Sequence, residues 1–140
     1  MKNRAPWAGV AALAAALAVA GCSSGAAATQ PPNLNGTNWR VTEIAGEPTF
    51  GSNPPTISFR NGRIRGDSGC NTFTADVTLD QMAIDVGSIS STLRLCEGEV
   101  AATETLFMRA LIGATALSFD PDGNLVLEGD GGAVHFVAAR

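Results

Sequence analysis

Chemistry in this chain would have to come from three cysteines, one histidine and a Gly66-Asp67-Ser68-Gly69 segment of the kind that surrounds a nucleophilic serine. A hydrolytic triad needs a histidine base held by a buried carboxylate. The single candidate, His135, follows the serine and sits in the C-terminal apolar run, where it alternates with Val134 and Phe136. That placement predicts a histidine facing solvent or making one structural hydrogen bond, and makes Ser68 a turn residue. Asp120-Pro121-Asp122-Gly123-Asn124 has the look of a calcium loop, but its glutamate, Glu128, comes at position 9 instead of 12 and apolar strand patterns flank it. A hairpin turn is the expected structure. Two isolated thiols and one distant histidine do not make a four-ligand zinc site. No catalytic residue, metal or cofactor is expected.

The first cysteine belongs to a different kind of signal. Lys2 and Arg4 precede an uncharged run of 13 residues, Ala8 to Ala20, which ends in Val19-Ala20-Gly21-Cys22. A membrane-spanning helix needs about 20 apolar residues, so this run has the size of a signal-peptide core. Small residues directly before a cysteine look like a lipobox, at which the leader is removed and the Cys22 thiol carries a diacylglycerol. Residues 1–21 are therefore read as a lipoprotein signal peptide and Cys22 as the lipidation site. The expected location is the extracytoplasmic face of a cell membrane, anchored by lipid. From Ser23 to about Asn35 the chain is rich in Ser, Gly, Ala, Pro and Asn, the composition of a tether. Fully extended, it would reach at most roughly 45 Å.

The remaining cysteines, Cys70 and Cys96, then lie in an oxidising compartment, where two thiols in one small domain are expected to pair as a structural disulfide. Without the leader the chain keeps seven arginines, no lysine and 13 acidic residues, a net charge of −6. Nucleic-acid binding requires a basic footprint, which is missing. Arg60, Arg63 and Arg65 are the one basic cluster and read as a solvated face.

The elements that must position these residues are mostly strands. Short alternating runs broken by turn signals begin at Trp39 and include Thr56–Phe59, Phe73–Leu79, Met82–Val86 and Ile89–Leu93. Asn61-Gly62 predicts a tight hairpin. Glu99 to Ile112 lacks Gly and Pro, and Val100, Thr103, Phe107 and Leu111 recur at helical spacing, with Gly113 as the stop. Three further strands, Ala116–Phe119, Asn124–Glu128 and Ala133–Val137, close the chain. The pattern predicts one mainly β (α+β) domain: a small, strongly curved antiparallel sheet or partly open β-barrel, with one helix between strands covering an opening.

Gly69-Cys70-Asn71-Thr72-Phe73 resembles the Gly-Cys-Asn-x-Phe signature of META domains, the HslJ-like family of bacterial lipoproteins. Gly36-Thr37-Asn38-Trp39 is similar to the family's opening Gly-Thr-x-Trp, and Pro55-Thr56-Ile57-Ser58-Phe59 to its Pro-Thr-hydrophobic-x-Phe strand. Ser91-Thr92, Cys96 and the helix residues Glu104, Phe107, Ala110 and Leu111 fall at matching places. Ala75, Val77, Arg94 and Glu97 depart from the pattern. The resemblance spans residues 36–140. It marks Trp39, Gly69, Cys70, Asn71 and Phe73 as structural signature residues and implies no catalysis. It implies envelope proteins linked to stress and drug tolerance. Two functions follow as expectations: a monomeric module that engages an unknown envelope protein, or a carrier of a lipid or other hydrophobic small molecule in a groove of the curved sheet.

Overall fold

The computed structural model describes residues 30–49 and 51–140; Ala8–Ala20 and Cys22 lie outside the described residues. Among the described residues no helix is long and apolar enough to cross a membrane.

The first strand, β1 (Asn38–Ile44), is followed by the short β2 (Glu47–Pro48), β3 (Thr56–Arg60), β4 (Arg63–Asp67), β5 (Thr72–Asp80), β6 (Ala83–Val86) and β7 (Ser90–Ser91). Helix α1 (Gly98–Ile112) then leads to β8 (Ala114–Phe119), β9 (Leu125–Gly129) and β10 (Val134–Ala138). Neighbours pair antiparallel in the order β10-β9-β8-β6-β5-β4-β3-β1, and β10 also pairs β1, so these eight strands close into a barrel. β2 adds to β1 and β7 to β5. The curved antiparallel sheet expected from the sequence therefore goes all the way to closure. Its narrowest seam is β6–β8, held by the pair Ala83↔Ala116 and by the Leu117 N–H donating to the Met82 carbonyl at 2.8 Å.

Alternation decides what faces inward. Val41, Ile57, Ile64, Leu117, Leu125, Leu127, Val134 and Phe136 are each at most 1% exposed and fill the barrel. Along β1 the inward set is Trp39, Val41 and then Ile44, because the register shifts between Val41 and Glu43 and the parity changes there. The Asn61-Gly62 hairpin forms as expected, with φ of 51° and 73° and Arg60 opposite Arg63. Leu34 is only 3% exposed, so packing begins within the stretch whose composition reads as tether. The Gly36 N–H donates to the Phe59 carbonyl at 2.7 Å and the Asn61 N–H to Asn35 Oδ1 at 2.9 Å, clasping this stretch to the hairpin end of the barrel.

Helix α1 covers the opposite end, where it packs against β1, β9 and β10. Its buried residues are Phe107, Ala110 and Leu111, whereas Val100 is 45% exposed. Only the second half of the expected apolar stripe lies over the barrel. Gly113 ends the helix at φ −83°, so its role is not a left-handed cap. Close approach is the constraint instead: a Cβ on Gly113 would lie 2.9 Å from the Gly131 backbone nitrogen, and one on Gly129 would lie 1.8 Å from the Gly113 carbonyl oxygen. Gly129→Ala is expected to force these backbones apart at a cost of about 1–3 kcal/mol, read from urea unfolding.

Candidate functional site

The turn between β4 and β5 holds the signature residues Gly69, Cys70 and Asn71, with Phe73 on β5 just beyond it and Trp39 apart on β1. Ser68 is fully buried and Asn71 is 5% exposed, and each satisfies the other: the Asn71 N–H donates to Ser68 Oγ at 2.9 Å, and the Ser68 N–H to the Asn71 carbonyl at 2.8 Å. Gly69 holds φ +92° between them, and its N–H donates to Asp67 Oδ1 at 2.7 Å. The turn is thus an internally bonded loop whose shape directs the Asn71 side chain away from the strand.

That side chain joins three parts of the fold. Nδ2 donates to Glu104 Oε1 of α1 at 2.9 Å and to the Arg94 carbonyl at 3.2 Å. Oδ1 accepts from the Arg94 N–H at 2.7 Å and from Thr92 Oγ1 at 2.8 Å. Ser68 Oγ donates to the same Glu104 oxygen at 2.6 Å. Cys70 and Cys96 form the expected disulfide, with their Cα atoms 6.2 Å apart, and this pins the chain two residues before the helix to the same turn. α1 has no side-chain N-cap bond at Glu97, so the disulfide and the Glu104 contacts fix its first turns.

Ser68 Oγ, the Asn71 amide and Glu104 Oε1 are all engaged in holding the chain, and the Ser68 hydroxyl is fully buried. His135 sits elsewhere, on β10, with Nε2 3.8 Å from Glu43 Oε1, and both side chains are partly exposed. Trp39 is buried, donates from Nε1 to Thr37 Oγ1 at 2.8 Å and packs its ring 6.2 Å from that of Phe119. Phe73 is buried with its ring 5.8 Å from that of Phe107. In the basic cluster, Arg63 Nε bonds Asp76 Oδ1 at 2.7 Å, both side chains being more than half exposed. Such a pair contributes at most about 1 kcal/mol.

Asn71→Ala would strip partners from Glu104, Thr92 and both backbone groups of Arg94. The expected cost is about 2–3 kcal/mol in urea unfolding. Asn71→Asp should do at least as much damage, because it sets a second carboxylate against Glu104 in place of a donor.

The Asp120 turn is closed on itself: Oδ1 accepts from the Asp122 and Asn124 N–H groups and Oδ2 from Asn124 Nδ2, each at 2.9 Å. Among the described residues no group of three or more His, Cys, Asp or Glu is placed to hold a metal. The Asn124 side-chain bond first, then the backbone N–H groups, hold the Asp120 carboxyl below its ordinary value of 3.8. A depressed folded-state value means a stabilising contribution that is complete above the unfolded value and is lost as pH falls through the folded one. An NMR titration of the Asp120 carboxyl carbon is expected to show a midpoint below 3.8. A midpoint at or above it would contradict the turn geometry.

A family model described as META domain matches residues 32–140. No curated protein matches the chain. Among solved structures, an NMR structure of a protein from Burkholderia xenovorans superposes with a TM-score of 0.61 at 20% identity, covering 84% of this chain and 96% of that one. A crystal structure of a duf4847 family protein from Bacteroides vulgatus gives a TM-score of 0.58 at 14% identity, with 75% and 94% covered. At these identities the likeness is one of fold.

Proposed function

The chain belongs to the META domain family, and from that premise we propose that it is a non-enzymatic docking module of the cell envelope, held to a membrane through acylated Cys22 and engaging another envelope protein in the service of stress or drug tolerance. The observation that carries this reading is the filled barrel. The inward side chains of all eight strands and of α1 occupy the interior, and proteins packed to normal density have no lumen to offer a ligand. The cavity beside the Asn61-Gly62 hairpin, lined by Leu34, Phe59, Val77 and Leu79 among others, measures about 210 Å³. Pockets for drug-sized ligands run from about 300 to 1,000 Å³, so this cavity is small for one, which supports docking over carriage. The larger depressions, of about 550, 460 and 360 Å³, are more open, the first lined in part by Phe73 together with Arg65, Thr72, Thr74 and Ser91.

The test is native mass spectrometry of the acylated protein, purified under mild conditions, before and after organic extraction. The expected result is one mass, the processed chain with its lipid on Cys22. A non-covalent apolar molecule lost on extraction would sink the docking reading in favour of a carrier, and an unmodified Cys22 would sink the anchor.

A further inference from the structure

We propose that Ser91–Leu95 is an open edge strand that takes up an extended segment of a partner polypeptide by strand addition. The inference rests on the docking reading above and gives it a place and a mode.

β7 pairs β5 on one side only. Beyond it the chain stays extended alongside the β4–β5 turn. The Thr92 N–H donates to the Thr72 carbonyl at 3.0 Å, and Arg94 is bonded through both its N–H and its carbonyl to the Asn71 side-chain amide. That amide offers Arg94 one N–H and its carbonyl oxygen in a plane, as a peptide group would, and it stands in for the strand that β5 no longer supplies at this level. In an antiparallel ladder alternate residues turn their N–H and C=O groups the same way. With Thr92 and Arg94 bonded inward, Ser91, Leu93 and Leu95 turn theirs outward. Among the described residues neither Leu93 nor Leu95 has a backbone hydrogen-bond partner.

The side chains repeat the message. Leu93 is 93% and Leu95 100% exposed, and residues two apart on a strand share a face. A single exposed leucine is ordinary. Here two lie on one edge with free backbone groups, and the edge carries no proline and one charge, Arg94, to discourage pairing. The disulfide at Cys96 and the Asn71 bonds hold the edge in its extended shape, so a partner would bind a strand already ordered.

Both features specify a polypeptide. Acyl chains can cover leucines but cannot pair alternating N–H and C=O groups, whereas an extended peptide does both. The site also lies at the far end of the barrel from the tether. The chain enters beside Phe59 and Asn61, and the strand pair β3–β4 runs from there to Thr56↔Asp67, next to the turn that holds Arg94. An anchored domain would present this edge away from its own bilayer. The fitting segment has apolar residues at alternate positions facing Leu93 and Leu95, no proline at pairing positions, and a basic flank toward Glu97 and Glu99.

The experiment is selection of a phage-displayed random peptide library on the disulfide-intact mature chain, followed by NMR titration of synthetic versions of the enriched peptides. Support consists of peptides with alternating apolar residues that shift the Ser91–Leu95 amides and slow Leu93 and Leu95 amide exchange about a hundredfold at saturation. N-methylation of a pairing amide in the peptide should weaken binding about tenfold, without any change to the protein. The variant Leu93→Asp with Leu95→Asp should keep its unfolding midpoint and lose the peptides. Peptides that map elsewhere, or no enrichment over an unrelated folded domain, would overturn the edge while leaving docking to stand on its own test. An apolar small molecule released in the mass measurement would instead remove docking itself. A concentration-dependent dimer abolished by the double aspartate variant would replace the partner segment with a second copy of this chain.

Discussion

Phe107→Ala is expected to destabilise the domain by about 3–5 kcal/mol, the range for removing a fully buried aromatic ring. The position gives reason to expect a full effect. Phe107 is the residue of α1 that enters the barrel mouth beside Ala110 and Leu111, and its ring lies 5.8 Å from that of Phe73 on β5. The surrounding strands are fixed by their hydrogen bonds, so the walls have little freedom to collapse into the space left behind. Urea unfolding with an unchanged m-value would register the loss. A cost below about 1 kcal/mol would mean that the helix is only loosely seated and that the interior is less complete than the docking reading requires. The variant has a second use. An engineered apolar cavity can bind small apolar probes such as benzene, so binding by the variant and none by the parent chain would locate the only lumen as an artificial one.

Replacing Cys70 and Cys96 together by alanine is expected to cost roughly 3–4 kcal/mol, the chain-entropy value for a bridge spanning 26 residues. The bridge closes a loop that contains β5, β6 and β7, and its release frees the entrance of α1, which lacks a side-chain cap of its own. Urea unfolding of the double variant against the oxidised parent gives the number. Its amide exchange gives the distribution. Leu95 to Val100 should open first, while Arg94 stays partly protected by Asn71. Uniform acceleration across β4 and β5 would show instead that the bridge supports the whole barrel wall.

How much of this could be read from residues alone depends on the distance over which each feature is decided. Strands and the Asn61-Gly62 turn follow from neighbours two to four residues apart, and they appear where the alternation puts them. Ile89–Leu93 reads as one strand, yet regular pairing ends at Ser91. The cause lies in another segment: β5 begins at Thr72, so no backbone stands opposite Arg94 and a side-chain amide takes its place. The helix reads as one apolar stripe from Val100, but only the turns that pass over the barrel mouth are buried, and the mouth is built from β1, β9 and β10. Gly113 reads as a stop residue. Its real constraint is the backbone of Gly131, which no local pattern reveals. Asn71 could be expected to fix its own turn. That Glu104, 33 residues on, would receive its amide could not, because the contact exists only after the helix has docked. Leu34 shows the same limit at the other end, a lone apolar residue in tether-like composition that finds a place under the hairpin.

The bonds from Asn71 go to the main chain of Arg94 and not to its guanidinium. Shape and identity are therefore written in different residues. Any amino acid other than proline can occupy position 94 and still meet the same amide, and positions 93 and 95 contribute nothing to the core. A lineage built on this architecture could exchange all three side chains one mutation at a time without crossing a stability threshold. On the strand-addition proposal, its members would then share a frame while differing in what they grip, and taste for a partner would drift faster than fold.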